Sequence, residues 1–288
     1  MVIFFTSEKH CVFLLVVCVF PLISLAQNVD YSPAYFGPNA NPVPSFSDAS
    51  IPQETTLESS SNHHFGFGDY TRNLTLLAEI PLLPQRISLK TWAALFERYQ
   101  LTQKVYNKRK MEGGTLKGKA NGDIYVQTRI LVLKESKWKP SMLLNITLKT
   151  ASGTKFKQRR YFDTPGYYFD LEVGKSIHFD NKFLNEVRVV ADIGFLCWET
   201  TNSTQNDAPM YGGKLILSND LLDFENTLSG YYGWMNNGDR PLVYAVKLTL
   251  KQAGFNSFVQ YQYGLKDFPY HSIQMGASFA LPILTPKY

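Results

Sequence analysis

The run Phe255–Ile283, F-N-S-F-V-Q-Y-Q-Y-G-L-K-D-F-P-Y-H-S-I-Q-M-G-A-S-F-A-L-P-I, decides the fold of this chain. In its first half Phe255, Val259, Tyr261 and Tyr263 share one face, broken by Ser257, while Asn256, Phe258, Gln260, Gln262 and Gly264 share the other. In its second half Ile273, Met275, Ala277, Phe279, Leu281 and Ile283 oppose Ser272, Gln274, Gly276, Ser278 and Ala280. A period of two marks a strand, and the short G-L-K-D-F-P-Y link makes the pair an antiparallel hairpin. A soluble sandwich buries one such face and wets the other. A closed barrel in lipid needs a continuous apolar outside and tolerates a small, polar inside.

The same rhythm recurs upstream. Thr55–Phe65 reads as a polar first strand. Tyr70–Leu82, Arg86–Arg98, Asp123–Leu133, the run from Met142 to Leu148, Gly166–Ile177, Leu184–Trp198, Met210–Leu217, Leu222–Trp234 and the run from Leu242 to Leu250 follow, each with two unlike faces. With the closing hairpin these make about twelve strands, an even number as in single-chain bacterial barrels. The breaks alternate in length. Those near Pro84, Lys137, Asp180, Asn219 and Gln252 are tight, whereas those near Lys108, Lys157 and Gln205 are long. Long loops on one rim and short turns on the other are a barrel feature, and an even strand count places both termini on the short-turn side. Tyr99, Tyr167, Tyr211, Tyr232, Trp234, Tyr244, Tyr263 and Tyr270 fall where strands meet the long-loop rim and read as an interfacial aromatic girdle.

Before the strands, the apolar run from Val12 to Ile23 is followed by Ser24-Leu25-Ala26, a small-x-small cleavage pattern. The expectation is a signal peptide over 1–26, a proline-rich arm over 27–54 and the barrel over 55–288. The other reading of the first run is a retained membrane helix, but it is shorter than the roughly 20 residues a span requires. Five prolines between Tyr31 and Pro52 argue for an extended or irregular arm, inside the lumen or beneath it. The processed chain would keep Cys197 alone, which excludes an internal disulfide or a thiolate metal cluster. The formal charge of +5 is modest, and its basic residues sit on no recognition helix, so no nucleic-acid partner is expected.

The export signal, strand rhythm and loop asymmetry, over roughly Thr55 to Ile283, resemble the bacterial outer-membrane β-barrel proteins of the Gram-negative envelope. The likeness is porin-like in a general way and is carried by no single motif. It implies an all-β fold: a transmembrane antiparallel up-and-down barrel in the outer membrane of a Gram-negative bacterium, both termini periplasmic. It also implies outer-membrane lipids, lipopolysaccharide and the outer-membrane assembly machinery as partners. One departure is the tail, where Pro282, Pro286 and Lys287 precede the terminal Tyr288. The soluble alternative is an exported lipocalin-like or sandwich protein, for whose small calyx twelve long strands are too many.

On this register the candidate lumen-lining residues are Glu79, Lys90, Arg98, Asp123, Arg129, Lys149, Asp170, Glu172, Glu186, Arg188, Asp192, Lys214, Asp223, Glu225 and Lys247. Such a mixed-sign wall sets selectivity in a water-filled passage for small polar solutes. It serves equally as a salt-bridged filling that seals the lumen, leaving a structural or adhesive role to the loops. The loops Lys104–Lys119 and Lys155–Arg160 are basic, and suit lipid phosphates, anionic solutes or plain solvation. No catalytic residue, cofactor or metal site is expected. His63/His64 and His271/Ser272 are adjacent pairs whose members point to opposite faces of a strand, which rules out a local dyad. A lipid hydrolase assembled across strands is the remaining enzymatic option.

Overall fold

The computed structural model describes residues 32–198 and 206–286; the expected signal peptide and the start of the arm lie outside the described residues. The strands are β1 (Thr55–Phe65), β2 (Asp69–Leu83), β3 (Ile87–Leu101), β4 (Lys117–Ala120), β5 (Ile124–Leu133), β6 (Ser141–Lys149) and β7 (Gly166–His178). They continue as β8 (Glu186–Trp198), β9 (Asn206–Ser218), β10 (Leu222–Tyr231), β11 (Leu242–Gln252), β12 (Phe255–Lys266) and β13 (His271–Leu281). Every pairing is antiparallel, and β1 closes on β13, from Thr55 opposite Leu281 to Phe65 opposite His271. Twelve strands form the closed wall. The short β4 pairs with the upper part of β3 and extends the line of β5, which pairs with the lower part.

Side-chain alternation explains the closure. Phe169, Val189, Ile193, Leu215, Leu248, Val259 and Phe279 all project outward and exposed. A belt of this kind is unstable in water and fits hydrocarbon, while closure leaves no unpaired strand edge. No helix among the described residues is long and apolar enough to cross a membrane, which says nothing of strands.

The connections 84–86, 134–140, 179–185, 219–221 and 253–254 lie on one rim, together with the start of β1 and the end of β13. At 253–254 the turn takes Gly254 at φ +72°, a backbone region that suits glycine. The other rim carries the 102–123 and 150–165 connections. The first is not a plain loop: it holds a short helix α1 (Gln103–Lys108), capped by the Thr102 side chain, and β4.

Strand β3 departs from the expected alternation. Phe96 lies opposite Leu74, but Ala94 lies opposite Thr75, so Leu95 is an extra residue in the ladder. This β-bulge reverses the parity beyond it. Ser88, Lys90 and Trp92 point inward below the bulge, whereas Glu97, Tyr99 and Leu101 point inward above it. Arg98 therefore stands exposed on the outside, which corrects its expected lumen position.

The aromatic girdle is corrected in the same way. Tyr167, Tyr211, Tyr232, Trp234, Tyr244 and Tyr263 are exposed on the outer wall, but Tyr99 (5% exposed) and Tyr270 (0%) are inside. The bulge turns Tyr99 in. The Tyr270 hydroxyl donates to the Phe36 carbonyl at 2.8 Å and pairs with the Arg109 guanidinium.

Candidate functional site in the lumen

The arm fills one side of the barrel. Glu172 on β7 accepts from the Ser47 amide (2.9 Å), the Ser47 hydroxyl (2.5 Å) and the Ala49 amide (2.8 Å). Arg129 on β5 donates to the Ser47 hydroxyl and to the Ser50 carbonyl, and Arg188 on β8 donates to the Asp48 carbonyl. An extended, proline-rich segment has no ladder of its own, so its peptide groups must find partners on the wall. Apolar contacts seal the fit: Phe46, Ala49 and Ile51 pack on Leu131, Leu143 and Val190. Phe46 also lies against Gly212, where a Cβ would collide with the ring.

Near the long-loop rim the interior is dry. Asp69 accepts from Arg109 at 2.6 Å and Arg160 at 2.8 Å, and Glu97 accepts from Arg160 and from the Tyr161 hydroxyl, both at 2.8 Å. All four charged side chains are fully buried. The attraction of Asp69 and Glu97 outweighs burial and raises Arg160 further above its ordinary value, so it stays charged there. Arg109 and Arg160 come from the two basic loops, so part of the loops' charge is spent on ion pairs inside the barrel. Sequence reading missed Asp69 as the strand's first residue and Glu97 because of the bulge.

The expected lumen residues fall into two groups. Arg129 pairs with Glu79 at 2.5 Å, and Lys149 with Asp123 at 2.8 Å. Asp170 and Glu172 both accept from the Asn145 amide, and Asp192 lies directly across from Glu172 on the same buried face. Arg188 pairs with Glu135 at 2.6 Å, and Glu186 accepts from Ser176. Burial alone would raise the Glu135 carboxyl, but the Ser176 amide, Arg188 and Lys175 hold it below its ordinary value near 4.5.

The second group faces open space. A cavity of about 610 Å³ lies between the arm and the wall formed by β8–β13 and β1–β3. Glu225 stands 3.4 Å from Lys214 and 3.6 Å from Lys247, and Lys251 pairs with Asp223 at 2.8 Å, all partly exposed. Lys90 sits over the Trp92 ring at 5.5 Å. Glu58, Gln260, Gln262 and Gln274 complete the polar lining. Glu58 and Lys251 were absent from the expected set, although the polar face of β1 and the alternation at the end of β11 carry both.

Three strands also bring together a set that no local pattern reveals. His64 Nδ1 lies 2.7 Å from Ser272 Oγ, and its Nε2 lies 3.1 Å from Asn73 Oδ1. Asn73 in turn accepts from Asn39 of the arm.

Comparison with known proteins agrees with the architecture. The NanC porin superposes with a TM-score of 0.53 at 10% identity, covering 78% of this chain and 100% of that one. The KdgM porin gives 0.50 at 11% identity, covering 78% and 99%. An outer-membrane channel from Pseudomonas putida F1 gives 0.50 at 10% identity, covering 83% and 100%. At such identities the likeness is one of fold: this chain is a closed twelve-stranded antiparallel barrel of porin-like architecture. No family model matches the sequence, and no curated protein matches it.

Proposed function

We propose that the protein is an outer-membrane barrel that passes or binds small polar solutes in the cavity beside the arm. The observation that carries this reading is the lining itself. Asp48, Glu58, Glu186, Asp223 and Glu225 face it from the acidic side, and Lys90, Arg188, Lys214, Lys247 and Lys251 from the basic side. A balanced wall with glutamine amides between the charges suits neutral or zwitterionic solutes better than a strongly charged one. The Lys214, Glu225, Lys247, Asp223 and Lys251 side chains keep partial exposure, unlike the sealed pairs elsewhere in the lumen.

In this reading a cleaved signal exports the chain, the assembly machinery inserts it into a Gram-negative outer membrane, and the short-turn rim with both termini is periplasmic. In this reading the Ser272–His64–Asn73 set is a part-buried hydrogen-bond network that ties β13, β1 and β2 together. Ser272→Ala would then leave passage unchanged.

The second reading, a structural or adhesive barrel with a sealed lumen, is favoured by the dry cluster of Asp69, Glu97, Arg109 and Arg160. Planar-bilayer conductance of the purified full-length protein separates the two. Steady unit conductance supports passage. Silence in bilayers that demonstrably hold folded protein, together with failure of small polar solutes to bind, sinks it.

A further inference from the structure

The outer wall of β1–β4 carries a feature that the lumen does not explain. His63 lies directly across from Arg72, Arg72 from Arg98, and Arg98 from Lys119. One basic side chain from each of four adjacent strands thus stands in a single outward-facing row. Strands lie about 4.8 Å apart, so the row is about 14 Å long. Like charges directly opposite one another destabilise a sheet. Inside the barrel Arg109, Arg129, Arg160 and Arg188 each have a carboxylate. Among the described residues, no carboxylate pairs with Arg72, Arg98 or Lys119.

The surroundings indicate what supplies the missing negative charge. A groove of about 1140 Å³ runs over the row, with Ile273 and Met275 along one edge. The next outward row toward the middle of the wall holds Leu74 and Phe96, the latter 66% exposed. The basic row lies a few residues from the 66–68 turn at the long-loop rim. Around β9–β12 the outer wall carries the tyrosines of the girdle instead. Cations at headgroup depth above an apolar strip complement an anionic lipid.

We propose that this groove binds the phosphate groups of a phosphorylated glycolipid of the outer leaflet, whose acyl chains lie along Leu74, Phe96 and Met275. The proposal rests on the outer-membrane reading above, with the long loops facing outward. Arg72 and Arg98 hold phosphate oxygens through their planar guanidinium forks, and Lys119 adds a third positive charge. The bound phosphates relieve the repulsion along the row.

The test uses folded full-length protein in an uncharged detergent, with binding read by native mass spectrometry. The probes are bisphosphorylated lipid A, the same lipid stripped of phosphate, and inorganic phosphate. The phosphorylated lipid should bind, and R72Q/R98Q/K119Q should weaken it about tenfold or more. K139Q/K182Q, on the opposite rim, should bind as the unaltered protein does. Heat-modifiable migration checks that the triple variant, which removes like-charge repulsion, still folds; if it does not, the single variants R72Q and K119Q carry the comparison. Equal binding of the dephosphorylated lipid, unchanged binding by folded variants, or equal competition by inorganic phosphate would each overturn the groove. Failure of the protein to insert into vesicles while it binds the lipid in detergent would overturn the outer-membrane reading and leave the groove standing.

Discussion

The two sides of the lumen handle charge in opposite ways. Along β2, β3, β5 and β6, with the long loops, ion pairs lie at 2.5–2.8 Å and are nearly all sealed from water. Along β9–β11 the pairs range from 2.8 to 3.6 Å and keep partial exposure. A buried charge pays a desolvation penalty that only fixed partners offset. A charge beside a water-filled space needs no such fixing and stays free to meet a solute. One interior thus holds both a sealed, salt-bridged filling and a polar cavity with partly exposed charges.

The sharpest way to break this contrast is Asp69→Ala. It strands Arg109 and weakens the hold on Arg160, and should cost about 3–5 kcal/mol, measured as the urea midpoint in vesicles. A comparable loss from Asp223→Ala would erase the distinction between the two sides. On the outer face, Leu248→Arg and Phe279→Arg should impair insertion, by about 2–4 kcal/mol if near the bilayer midplane. Lys247→Glu and Ser278→Arg, one residue earlier in each strand, should leave the barrel assembled. Equal tolerance of all four would refute the membrane wall.

Smaller effects test the arm and the cavity. Gly212→Leu drives a side chain into the Phe46 ring and should cost about 1–3 kcal/mol as the arm shifts, with higher bilayer conductance as the readout. If conductance stays at its original value while the ring is shown to have moved, the arm is no obstacle. Lys214→Glu should move reversal potentials toward cation preference by a few-fold with little loss of stability. The smallest effect is one of pH. The Glu135 carboxyl is held below 4.5 when folded, so its contribution is present above that value and is lost as pH falls through the lower, folded value. Glu135→Gln should flatten that part of the acid-unfolding curve.

Most of the wall was legible because period two survives wherever one face meets lipid. Strands β5 and β7 keep their expected faces residue by residue, whereas in β8 the expected outward Cys197 is buried, and the closing strand ends at Leu281, before the expected Ile283. What was not legible depended on non-local geometry. Nothing in the local pattern around Leu95 announces an extra residue, and the error it caused ran through Arg98 and Tyr99. The arm's place inside the barrel was open, since a proline-rich segment shows no periodicity until Glu172, Arg129 and Arg188 receive its peptide groups. Arg109 and Arg160 resembled other loop cations, because their carboxylates lie 40 and 63 residues away in sequence.

The bulge at Leu95 acts on both sides of the wall as a frame shift acts on a message. Deleting that one residue would remove the bulge and keep both faces, but drawing it into the ladder as an ordinary member would send Glu97 out among the cations of Arg72 and Lys119 and Arg98 in toward Arg160. The inner carboxylate and the outer guanidinium would exchange places in a single step. Interior neutrality and exterior basicity are therefore not separate properties of β3. They are two outputs of one insertion, and neither can be re-addressed by moving that residue without the other.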